Sequence, residues 1–502
     1  MKRSILFSVL VTLGCLLPPM LVFAIDQEAE NLYNRHCAAC HGIKGDGEGS
    51  AAYLLSPKPR NFTLGVYKFR STPTGEPPTD QDLLRTLKQG IPGTPMPAWD
   101  RLPERDLVAI VEYLKSFSDI FEDEESMEPP ILINAPPPLT VESVKAGHQV
   151  YQELECFKCH GPGGKGDGPT APSLKDDEDR PIRPYDFTRG PSLMKGGASA
   201  QAIYRTFMTG LDGTPMPSFI DDLEEEQRWQ LVHYIQSLSS TRQAQALPKG
   251  TPTLHAIKVS TDPSLDLSDP IWTKAPVAMV PLRPLWARNN WVDSIKVQIV
   301  VGPKTAAFRF EWPDVRKDEE TIRPQDFRDA VAIQYVPDAV SADYVGIPFI
   351  GMGDKENAVT IWHWKADWEA DVTGGFGDVV RKYGKVMDQM VVDLTNEKAY
   401  LSGRGADNPL SIHKRKSSVE VLKAKGFGTL TSLPPTAQTV KGRGVWRNGV
   451  WTVVMHQVLD SAVGPPLRKG QSLPFAVAAW DGTAGDRNGQ KSVSQWMELV
   501  IE

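Results

Sequence analysis

Two short stretches, "CAACH" at 37–41 and "CFKCH" at 156–160, place a histidine directly after a pair of cysteines. Two others, "GTPMPAW" at 93–99 and "GTPMPSF" at 213–219, set a methionine between prolines. C-x-x-C-H is the attachment signature of c-type haem, in which each thiol adds to a porphyrin vinyl group and the histidine takes one face of the iron. A redox disulfide or half of a zinc site would also use this cysteine spacing. The motif occurs twice, and each copy has its own methionine downstream, which favours haem. Methionine usually fills irregular core gaps, whereas the flanking prolines fix φ and keep the preceding residue extended. A soft sulfur on a stiff strut suits a metal. Met/His ligation raises the iron's potential and leaves no open position, which fits electron transfer and opposes peroxide or oxygen chemistry.

The two motif sets belong to one repeat. Cys37 and Cys156 are 119 residues apart, Met96 and Met216 are 120 apart, and Arg85-Thr86 matches Arg205-Thr206. Each copy closes with an amphipathic helical pattern, "ERDLVAIVEYLKSFS" or "EEQRWQLVHYIQSLS". A period of this size is a duplicated domain. Met96 is the only methionine between residues 25 and 118, and His36, next to Cys37, cannot easily reach the opposite face of the same ring. In the second copy Met194, Met208, Met216, His148 and His233 compete, and the repeat selects Met216. Both copies resemble class I cytochrome c domains. That resemblance implies two small all-α units at 25–120 and 142–241. Haem would be attached through Cys37/Cys40 and Cys156/Cys159, with axial pairs His41/Met96 and His160/Met216. Arg85 and Arg205 read as exposed helix arginines rather than partners of haem propionates.

Beyond residue 250 the pattern alternates. "SIKVQIVVGPKTAAFRFEW" reads as a hairpin, and "GVWRNGVWTVVMHQV" carries Asn448-Gly449 between apolar runs, a strong two-residue turn signal. "VAIQYVP", "AVTIWHWKADW" and "LPFAVAAWDG" read as further strands. The expected fold is an all-β sandwich over 250–502, and it holds 11 of the 13 tryptophans in its interior or a pocket. "GIPFIGMGDKENAVTIWHWKADW" and "FAVAAWDGTAGDRNGQKSVSQWMELVIE" resemble haem-b-binding γ subunits of the dimethyl-sulfoxide-reductase superfamily. These include the γ subunits of ethylbenzene dehydrogenase, dimethylsulfide dehydrogenase and nitrite oxidoreductase. The resemblance implies one non-covalent b haem held between Met352 and Lys491. Gly351 and Gly353 would let the backbone approach a planar ring. Lysine ligates only as the neutral amine, so its pocket must be apolar enough to depress its pKa. Lys365, His363 and His456 are the rivals to Lys491. His363 reads as core packing, as do Met455 and Met497. "LSDPIWTKAP" is also similar to sugar-binding sandwiches, so a carbohydrate-binding reading stays open.

At 502 residues the chain is too long for one core. Hydrophobic content of 40% and charged content of 23% are those of a globular protein. Residues 1–24 read as a secretory signal peptide with Val22 and Ala24 before the cut. Cys15 within it invites lipidation, which Thr12 and the apolar residues after the cysteine oppose. Pro18-Pro19 argue against an uncleaved anchor, and no other stretch would span a bilayer. The net charge of −7, about −9 after loss of Lys2 and Arg3, excludes a nucleic-acid partner. Residues 121–141 form an acidic, proline-rich linker, and about 239–252 a second connector. The combined reading is a periplasmic electron-transfer subunit, not itself an enzyme. It relays electrons between molybdenum and iron–sulfur subunits, with nitrite oxidoreductase the leading assembly, and a soluble cytochrome or membrane carrier. The alternatives are a di-haem peroxidase and a cytochrome c fused to a carbohydrate-binding domain.

Overall fold

The computed structural model describes residues 20–123, 127–190, 193–197, 199–239, 250–288, 290–337, 347–348, 350–355, 357–375, 415–459, 464–465, 467–468 and 470–502. Most of the expected signal peptide, including Cys15, lies outside these residues, as does 240–249 of the second connector. Among the described residues, no helix is long and apolar enough to cross a membrane.

Helices α1 (Met20–His36), α2 (Ala38–His41), α3 (Asp80–Gln89) and α4 (Glu104–Lys115) make the first unit. Helices α5 (Val141–Glu153), α6 (Phe157–His160), α7 (Ala200–Thr209) and α8 (Glu225–Ser237) repeat that order in the second. Local chemistry sets their starts. Thr79 and Asp82 form a capping box at α3, Thr140 and Ser143 one at α5, and Ser199 caps α7 by accepting from the Ala202 N–H. Leu83, Leu84 and Leu87 of α3 then pack with Leu107, Ile110 and Val111 of α4 in the first core. Ile203 and Phe207 of α7 meet Leu231, Val232 and Ile235 of α8 in the second. Both middle helices stop at a glycine with positive φ, Gly90 (60°) and Gly210 (65°). A Cβ there would sit 2.4 Å from the Pro97 backbone or 2.8 Å from that of Pro217, so only glycine lets the methionine loop press on the helix end.

The third unit is built from short strands. β1 (Thr253–Lys258), β2 (Ala278–Pro281), β3 (Arg283–Pro284), β4 (Ser294–Val301) and β5 (Thr305–Pro313) come first. β6 (Ala330–Tyr335), β7 (Val359–Lys365), β8 (Val419–Ala424) and β9 (Thr431–Ser432) follow. β10 (Lys441–Arg447), β11 (Val450–Val458), β12 (Ser472–Trp480), β13 (Ser492–Val493) and β14 (Met497–Ile501) complete it. The two expected hairpins are β4–β5 and β10–β11. Asn448 (φ 52°) and Gly449 (φ 76°) supply the left-handed turn pair of the second.

The strands join in the order β10-β11-β5-β4-β1-β14-β12-β6-β7-β8-β9, and the sheet folds over on itself. Phe308 of β5 lies 5.7 Å from the Phe475 ring of β12 and 5.4 Å from Trp362 of β7, so two layers face each other across one apolar core. Met455 and Met497 are fully buried in that core. Among the described residues one α-helix, α9 (Ala366–Gly374), departs from the all-β expectation. Its Glu369 accepts from Trp364 Nε1 and the Gly444 N–H, which ties it to β7 and β10.

The units are docked. Arg101 donates to Thr251 O and Thr253 Oγ1 and pairs with Glu498, while Gln495 Nε2 donates to Ala98 O. Arg70, wholly buried, reaches from the first helical unit to Thr209 O and Asp212 of the second.

Candidate haem sites and their shared cavity

In the first unit, α2 carries the thiols and histidine as one helical turn after α1. Burial pushes the Cys37 and Cys40 thiols up to about 12, and both are free thiols. Burial pushes His41 down to about 4, and its Nδ1 lies 3.0 Å from Arg60 O. The neutral ring therefore donates from Nδ1 and keeps the Nε2 lone pair for a metal. Phe62 stacks on it at 4.6 Å. Met96 is fixed at both ends of its peptide: its N–H donates to Thr94 Oγ1 (3.2 Å), and its carbonyl accepts from Ile91 (3.1 Å).

The second unit repeats the histidine and methionine bonds. His160 Nδ1 is 3.4 Å from Tyr185 O, with Phe187 stacked at 4.6 Å and the ring held neutral by burial. Met216 N–H donates to Thr214 Oγ1 (3.2 Å), and its carbonyl accepts from Leu211 (3.0 Å). The rival ligands are committed elsewhere. Met194 and Met208 are core residues, His233 pairs with Ser143 Oγ, and His148 sits beside Gln152. Met216 is only partly buried.

The second cysteine pair departs from the first. Cys156 and Cys159 are both free thiols, and burial pushes Cys156 up to about 11. Cys159, expected as an attachment thiol, is held in a hydrogen bond, with its Sγ 3.2 Å from Thr170 Oγ1. The Thr170 hydroxyl gives its own proton to Lys158 O, so the Cys159 thiol is the donor. A thioether has no such proton, and haem attachment at Cys159 would therefore break this bond. Cys40 stands at the matching place in the first unit, and there Ala51 takes the position of Thr170 and has no hydroxyl to make the contact. A further asymmetry lies at the methionines: Arg283 of β3 donates from Nη1 to the Met96 carbonyl and from Nη2 to Gln89 O.

Met352 and Lys491 both line a cavity on the outer face of the folded sheet. Successive strand residues point to opposite faces. On β6, Val331, Ile333 and Tyr335 enter the core, leaving Ala330, Ala332 and Gln334 on the other side. On β12, Phe475, Val477 and Ala479 face inward, leaving Ala476, Ala478 and Trp480. Ala332 and Ala478 are cross-strand partners. Four alanines at neighbouring positions make a flat, shallow floor where larger side chains would fill the space. Met352 stands at its rim with φ 85°, a left-handed conformation that side chains rarely adopt, beside Gly353 at 76°. Lys491 Nζ lies 4.9 Å from the Trp480 ring centre and makes no hydrogen bond or ion pair among the described residues. Burial pushes it down to about 8. An apolar floor, a presented thioether and an unpaired amine near its neutral form fit a planar haem.

Of the rivals, Lys365 is bound to buried Glu420 and lies over Trp368. His363 is not core packing. Trp362 and Trp364 take the inner face of β7, and His363 stacks on Trp480 at 4.6 Å with a buried, unpartnered Nε2.

One cavity of about 1130 Å³ is lined by Cys40, His41 and Met96 of the first helical unit and also by Met352, His363 and Lys491 of the sheet. Cys156, Cys159, His160 and Met216 do not line it, so the second helical pocket stands apart. The 54–58 segment lines the shared cavity too and is sewn to the sheet unit by Ser56 N–H to Leu285 O and Ala287 N–H to Ser56 O.

Residues 27–118 and 144–239 match the cytochrome c family model, and residues 269–492 match the ethylbenzene dehydrogenase model. The two N-terminal segments are thus similar to the cytochrome c family and the C-terminal region to the ethylbenzene dehydrogenase family. A respiratory nitrate reductase haem subunit of Haloferax mediterranei is 25% identical over 45% of this chain and 64% of its own length, just under two thirds of that relative. The γ subunit of Ideonella dechloratans chlorate reductase is 22% identical, with 51% and 87% covered. The γ subunit of Rhodovulum sulfidophilum dimethylsulfide dehydrogenase is 27% identical, with 46% and 72% covered. The ethylbenzene dehydrogenase region thus contains Met352, His363 and Lys491 together.

The sequence reading named His363 among the rivals to Lys491 but missed its stacking on Trp480, the alanine floor and the Cys159–Thr170 bond. The first two were signalled by alternation: "AVAIQ" and "AVAAW" place small residues opposite large ones. Arg85 and Arg205 are not exposed helix arginines. Both are half-buried; Arg85 pairs with Asp82 and Arg205 donates to Gly196 O. Trp272 of the sugar-like stretch is buried, with Nε1 on Asp266 O, and offers no open platform.

Proposed function

We propose that this chain is an exported electron-transfer subunit carrying two covalent c haems and one b haem. It would relay electrons between a molybdenum and iron–sulfur enzyme and a respiratory carrier. The observation that carries this reading is the cavity shared by the His41/Met96 pocket and the Met352/Lys491 pocket. Haem iron at these positions supplies one-electron transfer. His41 and His160 would each give Nε2, oriented by Arg60 O and Tyr185 O, and Met96 and Met216 would close the other side. Cys37/Cys40 and Cys156/Cys159 would hold the rings, with Cys159 exchanging its bond to Thr170 for the thioether. Lys491 would give its amine, with Trp480 and the alanine floor keeping water away. The named relatives are subunits of nitrate, chlorate and dimethylsulfide oxidoreductases. We therefore place the sheet unit against the iron–sulfur subunit of a related complex in the periplasm, with nitrite oxidoreductase the leading candidate.

Potentiometric titration of the purified chain tests this directly. Three separable haem transitions and no carbon monoxide uptake by the reduced protein are expected. Rapid binding of carbon monoxide or peroxide at a c haem would instead support the di-haem peroxidase reading.

A further inference from the structure

Three strand ends of the sheet unit converge. Asp314 follows β5, Asp329 precedes β6 and Asp481 follows β12. One carboxylate oxygen from each lies within 4.8 Å of the other two. None of the three forms an ion pair among the described residues; the nearby arginines, Arg288 and Arg316, pair with Asp486 and Asp318 instead. Asp329 is wholly buried, and each of its oxygens is already held: Oδ1 by the Gly482 N–H, and Oδ2 by Asp318 N–H and Trp451 Nε1. Asp481 Oδ1 accepts from Ala484. These bonds fix two carboxylates rigidly without neutralising them.

Asp314 makes the decisive observation. The residue is only 6% exposed; its Oδ1 accepts from the Arg316 N–H, and its Oδ2 has no hydrogen-bond donor at all. A buried anionic oxygen without a donor or counter-charge is costly. Oxygens about 2.3–2.6 Å from a common centre lie no more than roughly 5 Å apart, the spread seen here, and an all-oxygen set of this kind suits a hard divalent cation.

We propose that Asp314, Asp329 and Asp481 bind one divalent cation, of the calcium class, that pins the ends of β5, β6 and β12. The cation supplies the counter-charge that Asp314 Oδ2 lacks, and backbone carbonyls or water complete the shell. It also anchors the start of the 481–491 segment. Burial, with repulsion from Asp329, pushes Asp314 up to about 8, and burial pushes Asp329 up to about 6, so the competing arrangement is a proton shared within the trio.

The test uses the full-length haem-loaded chain. After exhaustive EDTA treatment and dialysis, elemental analysis and equilibrium dialysis against Ca²⁺ are carried out at pH 7. One Ca²⁺ per chain, removable and restorable, with a Tm that rises on re-addition, is the expected result. Asp314→Asn should weaken Ca²⁺ uptake at least tenfold and abolish the Tm response. Should that variant fail to fold, Asp481→Asn gives the same reading from the more exposed position. No stoichiometric Ca²⁺ in the wild type, or an Asp314→Asn chain that is as stable as the wild type or more so without added metal, would overturn the proposal in favour of the shared proton.

Discussion

Lys491 must lose its proton before it can ligate, and its surroundings explain how. The amine lies against Trp480 with no carboxylate to hold a positive charge, and burial brings it down to about 8. Because the folded-state value is depressed, the neutral amine is present above about 8 and is lost as pH falls. Reloading of b haem into haem-depleted protein should therefore weaken about tenfold per pH unit below that point, measured by Soret titration between pH 6 and 8. A flat profile would remove Lys491 from the site. His363, held neutral well below its usual value by burial, stays uncharged across that range and leaves the slope unchanged. Met352→Ala should lose or perturb the extractable haem alone, because the two covalent haems depend on other units.

Elements position these residues by alternation and by glycine. The alanine floor exists because β6 and β12 put Val331, Ile333, Tyr335, Phe475 and Val477 into the core and leave alanines at 330, 332, 476 and 478 on the other side. Ala478→Leu should keep the fold, since the new side chain enters a cavity, yet halve or abolish b-haem content in an extraction assay. On the other side of the same sheet, Gly444 packs against Trp364, and a Cβ would lie 2.1 Å from that ring. Gly444→Ala should cost about 1–3 kcal/mol, read by chemical denaturation, and a neutral result would mean that β10 can move away from β7. Arg283 gives a third case. It places a guanidinium on the Met96 carbonyl, and among the described residues no arginine does the same for Met216. Arg283→Gln should lower the potential of the first c haem while leaving the second unmoved, so the repeat serves as its own control.

The helices, hairpins and haem motifs were legible in the sequence because each is local: C-x-x-C-H, the proline-bracketed methionines and Asn448-Gly449 all act within a few residues. What the sequence hid is longer in range. Met352 and Lys491 are 139 residues apart in the numbering, and only the folding of one sheet over itself brings them to one face. The burial of Arg85 and Arg205 likewise depends on how helical units pack, which no local pattern reports. Cys159 shows the same limit inside one motif, because its partner Thr170 comes from the loop that follows α6 rather than from the signature itself.

At the scale of the molecule, two docked units share one cavity, and the second helical unit is tied to the first through buried Arg70. The proposed function fills that arrangement with three haems. The central claim is therefore tested most directly by a pyridine haemochrome spectrum of the purified chain before and after acid–acetone extraction. The account predicts three haems per chain, one of them extractable as haem b and two left covalently bound. Two haems, neither extractable, would contradict it.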